Sequence, residues 1–221
     1  MGTGAFITLE GGDGAGKTTQ AALLADALES RRLHVVRVHE PGGTDLGERV
    51  RSVLLDSSTG DIDSTAELML YEAARAQLVT QVIRPALADG AVVVCDRFAD
   101  SSVAYQGFGR EIGAGAVCSV NALATGGLVP DRTVLLDIDP SVGMGRALGR
   151  SGAADRMEAA GDEFHVRVCE GFRDMARDDP ARWRVVDASQ SEAEVAAAVF
   201  AAVEDVLGDA PAGDPARDGG R

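Results

Sequence analysis

The chain has 221 residues, 45% of them hydrophobic, and a formal net charge of −14. That length suits a single domain with a full core, the apolar content excludes a wholly disordered chain, and the acidic balance disfavours a dedicated nucleic-acid binder, which needs a basic footprint. Cys95, Cys118 and Cys169 are far apart, odd in number and without C-x-x-C spacing, so neither a disulfide framework nor a zinc site is expected, and a reducing, cytoplasmic setting fits.

Residues 6–10 read as a short buried strand. The run Gly11-Gly12-Asp13-Gly14-Ala15-Gly16-Lys17-Thr18 follows it and fits G-x-x-x-x-G-K-[ST], the phosphate-binding P-loop. Its glycines let backbone N–H groups converge on an anion. Of 21 basic residues, Lys17 is the only lysine. Its compact ammonium can follow the β- and γ-phosphates, a task that suits arginine's rigid fork less well. Thr18 offers a hydroxyl to Mg²⁺. A helix over 17–30 comes next, with Leu23, Leu24, Ala27 and Leu28 at helical spacing. Strand, glycine loop and helix together point a helix N-terminus at phosphate, a context that a chance glycine turn lacks.

A second strand over 34–38 leads into the turn Glu40-Pro41-Gly42-Gly43-Thr44 and a helix over 46–55 carrying Arg49 and Arg51. Nothing local says which of those arginines acts. A long helix is expected over 64–88, where Tyr71 and Arg75 are four residues apart on one face. A ring and a guanidinium placed so can stack on a planar base and donate to its carbonyl edge. The spacing alone favours the plainer alternative, a half-buried tyrosine beside a snorkelling arginine. A strand over 91–95 ends at Asp96-Arg97. An acid there can hold Mg²⁺ or its waters, and the arginine can clamp a phosphate bidentately; the alternative is a strand-end ion pair.

Helices over 114–125, 141–149, 163–177 and 192–207 alternate with strands over 133–138 and 184–186. The strands 91–95 and 133–138 are nearly continuous apolar runs, as expected when helices cover both faces. The expected fold is therefore α/β: a doubly wound, parallel, five-stranded sheet flanked by helices, of P-loop NTPase type, with ligands bound beyond the carboxyl ends of the strands. The Gly/Ala-rich segment 149–162 carries Arg150, Asp155 and Arg156. It is either a solvated loop or a short mobile lid that delivers arginine to ATP. The domain is expected to span 1–207, and the tail 208–221 lacks periodicity and is expected to be disordered. No apolar run approaches the roughly 18 residues of a membrane span, and the N-terminus lacks a charged segment followed by an apolar one.

Taken together, these segments resemble the thymidylate kinases, the dTMP kinases among the nucleoside monophosphate kinases. The resemblance covers about residues 5–207. It rests on the P-loop, on Glu40-Pro41-Gly42-Gly43-Thr44 with Gly47-Glu48 and Arg51, and on Leu68-Met69-Leu70-Tyr71 with Arg75. It continues through Asp96-Arg97-Phe98, Ser101-Ser102 and Ala104-Tyr105-Gln106-Gly107, then Pro130-Asp131, Leu136-Asp137 and Asp155-Arg156-Met157-Glu158. The P-loop is generic; the EPGGT and AYQG runs are specific.

The resemblance implies transfer of the ATP γ-phosphoryl group to dTMP, giving dTDP and ADP, with Mg²⁺, in dTTP biosynthesis. It implies that Gly11, Gly12, Asp13, Gly14, Ala15, Gly16, Lys17, Thr18 and Thr19 hold ATP, with Thr18 and Asp96 on the Mg²⁺ side. Asp13 is similar to the carboxylate that binds the deoxyribose 3′-hydroxyl. Arg97 and Arg51 match arginines on the dTMP phosphate. Arg75 matches the arginine donating to thymine O4, Tyr71 the stacking aromatic, and Ser102 and Gln106 the contacts to the base edge. Tyr105 lies near the sugar and Glu40 beside the acceptor. The catalytic set implied is Lys17, Asp13 and Arg97 with a lid arginine, Arg156 first and Arg150 second, because the P-loop itself carries no arginine. Phosphoryl transfer needs alignment and charge neutralisation more than a strong base. The family also implies a homodimer.

The chain departs from the pattern where His39 replaces the usual arginine before EPGG, so that either His39 or a neighbouring arginine such as Arg37 takes over its contact or a phosphate contact is weaker. It departs again where Asp-Arg-Phe replaces Asp-Arg-Tyr, and in its Gly/Ala-rich lid. The competing expectations are a kinase for another nucleoside monophosphate and an ATP-driven P-loop binding module without an acceptor. A GTPase is excluded, because its base-reading run needs a second lysine.

Overall fold

The computed structural model describes residues 4–151 and 155–207, leaving aside the side chains of Arg150 and Ser151. Five strands, β1 (Phe6–Glu10), β2 (Val35–His39), β3 (Val92–Asp96), β4 (Arg132–Asp137) and β5 (Trp183–Asp187), form one parallel sheet in the order β2-β3-β1-β4-β5. Helices α1 (Lys17–Ser30), α2 (Asp45–Leu55), α3 (Ser64–Leu78), α4 (Arg84–Ala88), α5 (Ala99–Ser102), α6 (Ala114–Thr125), α7 (Pro140–Ser151), α8 (Asp162–Asp178) and α9 (Glu192–Ala201) connect and cover it. The strand order reverses at β1, and the P-loop hangs from that strand's carboxyl end, which is where a ligand crevice opens.

Alternation along the strands sorts the core into two layers. Ile7, Leu9, Val92, Val94, Val134 and Leu136 face Leu24 and Leu28 of α1 and Val195 and Val199 of α9. Phe6, Val93 and Cys95 point the other way, onto Leu78, Val79, Ile83 and Phe98. On that same face, Leu135 meets Tyr105, Phe164, Val168 and Phe172. Both faces of the central strands are covered, which is why 91–95 and 133–138 read as nearly continuous apolar runs.

Local capping fixes the helix starts. Thr44 accepts from the Gly47 amide at 3.0 Å to begin α2, Asp63 accepts from Thr65 and Ala66 to begin α3, and Ser191 with Glu194 forms a capping box on α9.

Three expectations about elements need correction. The helix expected over 64–88 is α3, a π-type turn over Val79–Ile83, and α4. Pro85 lacks an N–H and would clash with the carbonyl four residues back in an uninterrupted α-helix, and the wider turn makes room for it. The helix expected over 192–207 ends at Ala201; beyond it Val203 and Leu207 turn into the core. Residues 99–109, with no element expected, are helical: α5 runs into a π-type segment, Val103–Gly109. Its serines and glycines hide it from propensity arguments. The glycines are needed for packing, because a Cβ on Gly109 would lie 2.6 Å from the Phe164 ring. Among the described residues no helix is long and apolar enough to cross a membrane, and all three cysteines are unpaired.

Candidate active site

A cleft of about 530 Å³ opens beyond the carboxyl ends of β1, β2 and β3. One side is the P-loop, represented by Asp13, Gly14, Gly16, Lys17 and Thr18. The other comprises Glu40, Arg51, Tyr71, Arg97, Ser102, Tyr105 and Gln106. The structure thus brings most of the residues singled out in the sequence into one space.

On the P-loop side, Lys17 Nζ donates to the carbonyls of Gly11 at 3.1 Å and Gly12 at 2.6 Å. Burial and the neighbouring Arg97 push its pKa down to about 8, against the pull of Asp13, Asp96 and Glu10. Thr18 Oγ1 donates to Asp96 Oδ2 at 2.6 Å. Gly14 is held at φ +72°, and a Cβ there would overlap the Gly143 carbonyl of α7. Gly14→Ala is therefore expected to push α7 off the P-loop, raising KM for ATP at least about tenfold and lowering Tm. Unchanged ATP kinetics would show that this close approach does not shape the phosphate site.

On the far side, Arg97 adopts a left-handed backbone at φ +70°. Its guanidinium donates to Asp13 Oδ1 at 2.6 Å, the Gly11 carbonyl at 3.0 Å, Ser101 Oγ at 3.3 Å and the Tyr105 hydroxyl at 2.9 Å. Tyr105 donates in turn to Asp13 Oδ2 at 2.9 Å. Burial works against ionisation of Asp13, but Arg97, Lys17 and the Tyr105 hydroxyl outweigh it and hold the carboxyl below its ordinary value. The result is a carboxylate and a guanidinium fixed side by side at the junction of the two halves.

Glu10, at the end of β1, accepts from the Phe98 amide at 2.7 Å and Ser101 Oγ at 2.6 Å, so it shapes the turn that carries Arg97. Burial, reinforced by Asp100, pushes its pKa up to about 8. The folded chain then holds a proton that the unfolded chain releases in the usual carboxylate range. Stability therefore falls as pH rises from that range through about 8. Glu10→Gln cannot lose this proton. Its Tm relative to the unsubstituted protein should improve steadily from about pH 5 to about pH 9; a constant difference would mean that Glu10 is not protonated in the fold.

Arg75 is 1% exposed and is not part of the cleft wall. Nε donates to Glu40 Oε2 at 2.8 Å, Nη1 to Glu72, Ser102 Oγ at 3.0 Å and Asn121 Oδ1 at 2.8 Å, and Nη2 to the Phe98 carbonyl at 3.1 Å. It neither snorkels nor lies open beside Tyr71. It is a buried hub, and Glu72 and Asn121 are partners that the sequence did not suggest. Burial pushes Glu40 up to about 7 despite Arg75. Arg51 lines the cleft and donates to the Pro41 carbonyl at 2.9 Å. Arg37 and His39 both line it too, with His39 paired to Glu48 at 3.2 Å.

Arg156 does not line the cleft. Its guanidinium pairs with Glu67 at 2.6 Å and donates to the Leu54 carbonyl at 2.8 Å. Reaching a phosphate would require it to leave Glu67. The Arg150 side chain lies outside the described residues, as does the tail 208–221. Asp155, Met157 and Glu158, beside Arg156, do line the cleft, which puts part of the expected lid on its wall. His165, which no motif indicated, lies 3.7 Å from Asp13 and 3.2 Å from the Glu158 carbonyl.

Among the described residues no group of three or more His, Cys, Asp and Glu side chains could hold a metal ion by itself. The Thr18 hydroxyl and Asp96 carboxylate are hard oxygen donors at the P-loop. They fit a cation that takes one or two protein ligands and completes its shell with phosphate and water.

The described family "Thymidylate kinase" matches residues 9–199. A thymidylate kinase of Solidesulfovibrio magneticus is 49% identical over 208 residues, covering 91% of this chain and all of its own. One from Deinococcus radiodurans is 50% identical over 205 residues, covering 93% and 98%. The crystal structure of thymidylate kinase from Ehrlichia chaffeensis is similar at TM-score 0.74 and 34% identity, covering 92% of this chain and 100% of that one. With a P-loop facing Arg97 across one cleft and its own Asp13 paired to that arginine, and with this match over nearly the whole chain, the protein belongs to the thymidylate kinase family.

Proposed function

We infer that this protein transfers the γ-phosphoryl group of ATP to dTMP, giving dTDP and ADP. The observation that carries this is a cleft in which the P-loop, with Asp13 and Lys17, faces Arg97 and Tyr105. The P-loop amides, with Lys17 and Thr19, would bind ATP. Thr18 and Asp96 would hold Mg²⁺, which when bound neutralises charge on the β- and γ-phosphates. Arg97 and Arg51 would bind the acceptor phosphate, and the Asp13–Tyr105 pair the deoxyribose. Tyr71 would stack on the base, Ser102 and Gln106 would meet its edge, and Arg75 with Glu40 would hold that wall in place.

An acceptor phosphate monoester is already largely anionic at neutral pH, so no strong base is needed. The chemistry falls to alignment and to cations spread over the transferred group. Lys17 is the fixed cation. Arg150, and Arg156 once released from Glu67, are the lid arginines available to join it. Lid closure would exclude water that otherwise hydrolyses ATP. We further propose a homodimer, for which Leu46, Val53, Met69 and Leu123 on α2, α3 and α6 offer exposed apolar surface. We also propose a cytoplasmic setting, supported by the three free cysteines.

The test is ADP formation from Mg-ATP with dTMP, dUMP, dCMP, dGMP, AMP or no acceptor. Strong turnover with dTMP, weaker with dUMP and none with purines is expected, because one methyl group is worth only about 1–3 kcal/mol of discrimination. Equal ADP release with and without acceptors would mean an ATPase, and preference for another monophosphate would overturn the base assignment.

A further inference from the structure

Glu67 of α3 is 0% exposed and stands behind the acceptor wall. It accepts from Gln106 Nε2 at 2.9 Å, from Arg110 Nε and Nη2 at 3.2 Å each, and pairs with Arg156 Nη2 at 2.6 Å. The two guanidiniums compensate its burial. A carboxylate flanked in this way only accepts, so the nitrogen end of the Gln106 amide must face it. Gln106 also lines the cleft. With its nitrogen held against Glu67, the oxygen is the end of the amide turned away from that carboxylate, and it is an acceptor.

We propose that Glu67 is a positioning residue that fixes the polarity of Gln106 and so makes the acceptor pocket demand a hydrogen-bond donor on the base edge. Thymine and uracil carry N3–H and meet that demand. Cytosine presents a bare N3, which would set two acceptors against each other and leave both unpaired. This inference rests on the dTMP kinase reading above and adds the residue that separates pyrimidines with an N3–H from those without one. It also gives Arg156 a second part: the same carboxylate that sets Gln106 seats the arginine next to Met157 and Glu158 on the cleft wall.

The test compares kcat/KM for dTMP, dUMP and dCMP in the unsubstituted protein and in Glu67→Gln. With a neutral amide behind it, Gln106 can turn over. The dTMP/dCMP ratio should then fall at least about tenfold, the worth of one hydrogen bond, while the dTMP/dUMP ratio stays put, because thymine's methyl group sits on the opposite edge of the ring from N3–H. A Glu67 that only stabilises the fold would lower all three values together and leave both ratios unchanged; that result overturns the proposal. Gln106→Met gives an independent route should Glu67→Gln not fold. It should shrink the dTMP/dCMP ratio by a similar factor, and adding Glu67→Gln to it should shrink the ratio no further. A full ratio in Gln106→Met also overturns the proposal. Absence of dTMP-dependent turnover in the unsubstituted protein would instead defeat the kinase reading itself, so the two failures are distinct.

Discussion

Lys17→Ala should lower kcat by about a thousandfold with little change in Tm, since removing one preorganised donor of this kind costs about 10²–10³ and Lys17 also carries full charge. Two features place it among the largest effects expected. It is the only lysine in the chain, and no arginine lies in the P-loop to replace it. Its Nζ rests on the Gly11 and Gly12 carbonyls, beside the phosphate cradle. Because the side chain is buried with its pKa pushed down to about 8, the fold gains little from its charge, so stability should survive the truncation. Lys17→Arg should not rescue the rate, since a planar fork cannot follow a moving phosphoryl group as a compact ammonium does. Steady-state kinetics beside a melting curve decide the matter. A kcat within tenfold of the unsubstituted protein would remove Lys17 from the transfer step.

Arg97→Gly is expected to cost about a thousandfold in kcat/KM for dTMP, with a larger share in KM than Lys17→Ala shows. Glycine is chosen because the backbone sits at φ +70°, a region it enters without strain, so any loss reflects the guanidinium and not the turn. That guanidinium holds Asp13, the Tyr105 hydroxyl and the Gly11 carbonyl at once. Without it, Asp13 stays buried with its principal counter-charge gone, and its pKa should rise. Arg97→Lys should recover only a small part, because one ammonium cannot bridge three acceptors in the geometry of a fork. Near-normal kcat/KM in the glycine variant would show that the acceptor phosphate is bound elsewhere, with Arg51 the next candidate.

The P-loop, the alternation of strands and helices, and the parallel sheet were legible in the sequence because each rests on local chemistry. Glycines at a tight turn, apolar runs of strand length and helical spacing such as Leu24 with Leu28 are properties of neighbouring residues. The limits of legibility were local too. The break at 79–83 depends on how a helix accommodates Pro85. The helix over 99–109 has poor propensity and is held by Phe164 and Ala114 from elsewhere in the chain.

The residue types of the site were also legible: Lys17 and Thr18 in their loop, Asp96-Arg97 at a strand end, Tyr71 and Arg75 one turn apart. What each side chain faces was decided only by the tertiary structure. Arg75 looked from spacing like a snorkelling neighbour of Tyr71, yet it points inward, where Glu40 and Glu72 pair with its buried charge. Arg156 looked like a free lid arginine, yet Glu67, about ninety residues earlier in the chain, holds it by the same rule that a buried charge is paired. Glu10, Glu67, Asn121 and His165 carry no motif, since their importance comes from polar groups that other elements bring to them. Sequence by itself determined the kind of chemistry and the frame that presents it; the pairing of buried charges across distant segments decided which side chains reach the cleft.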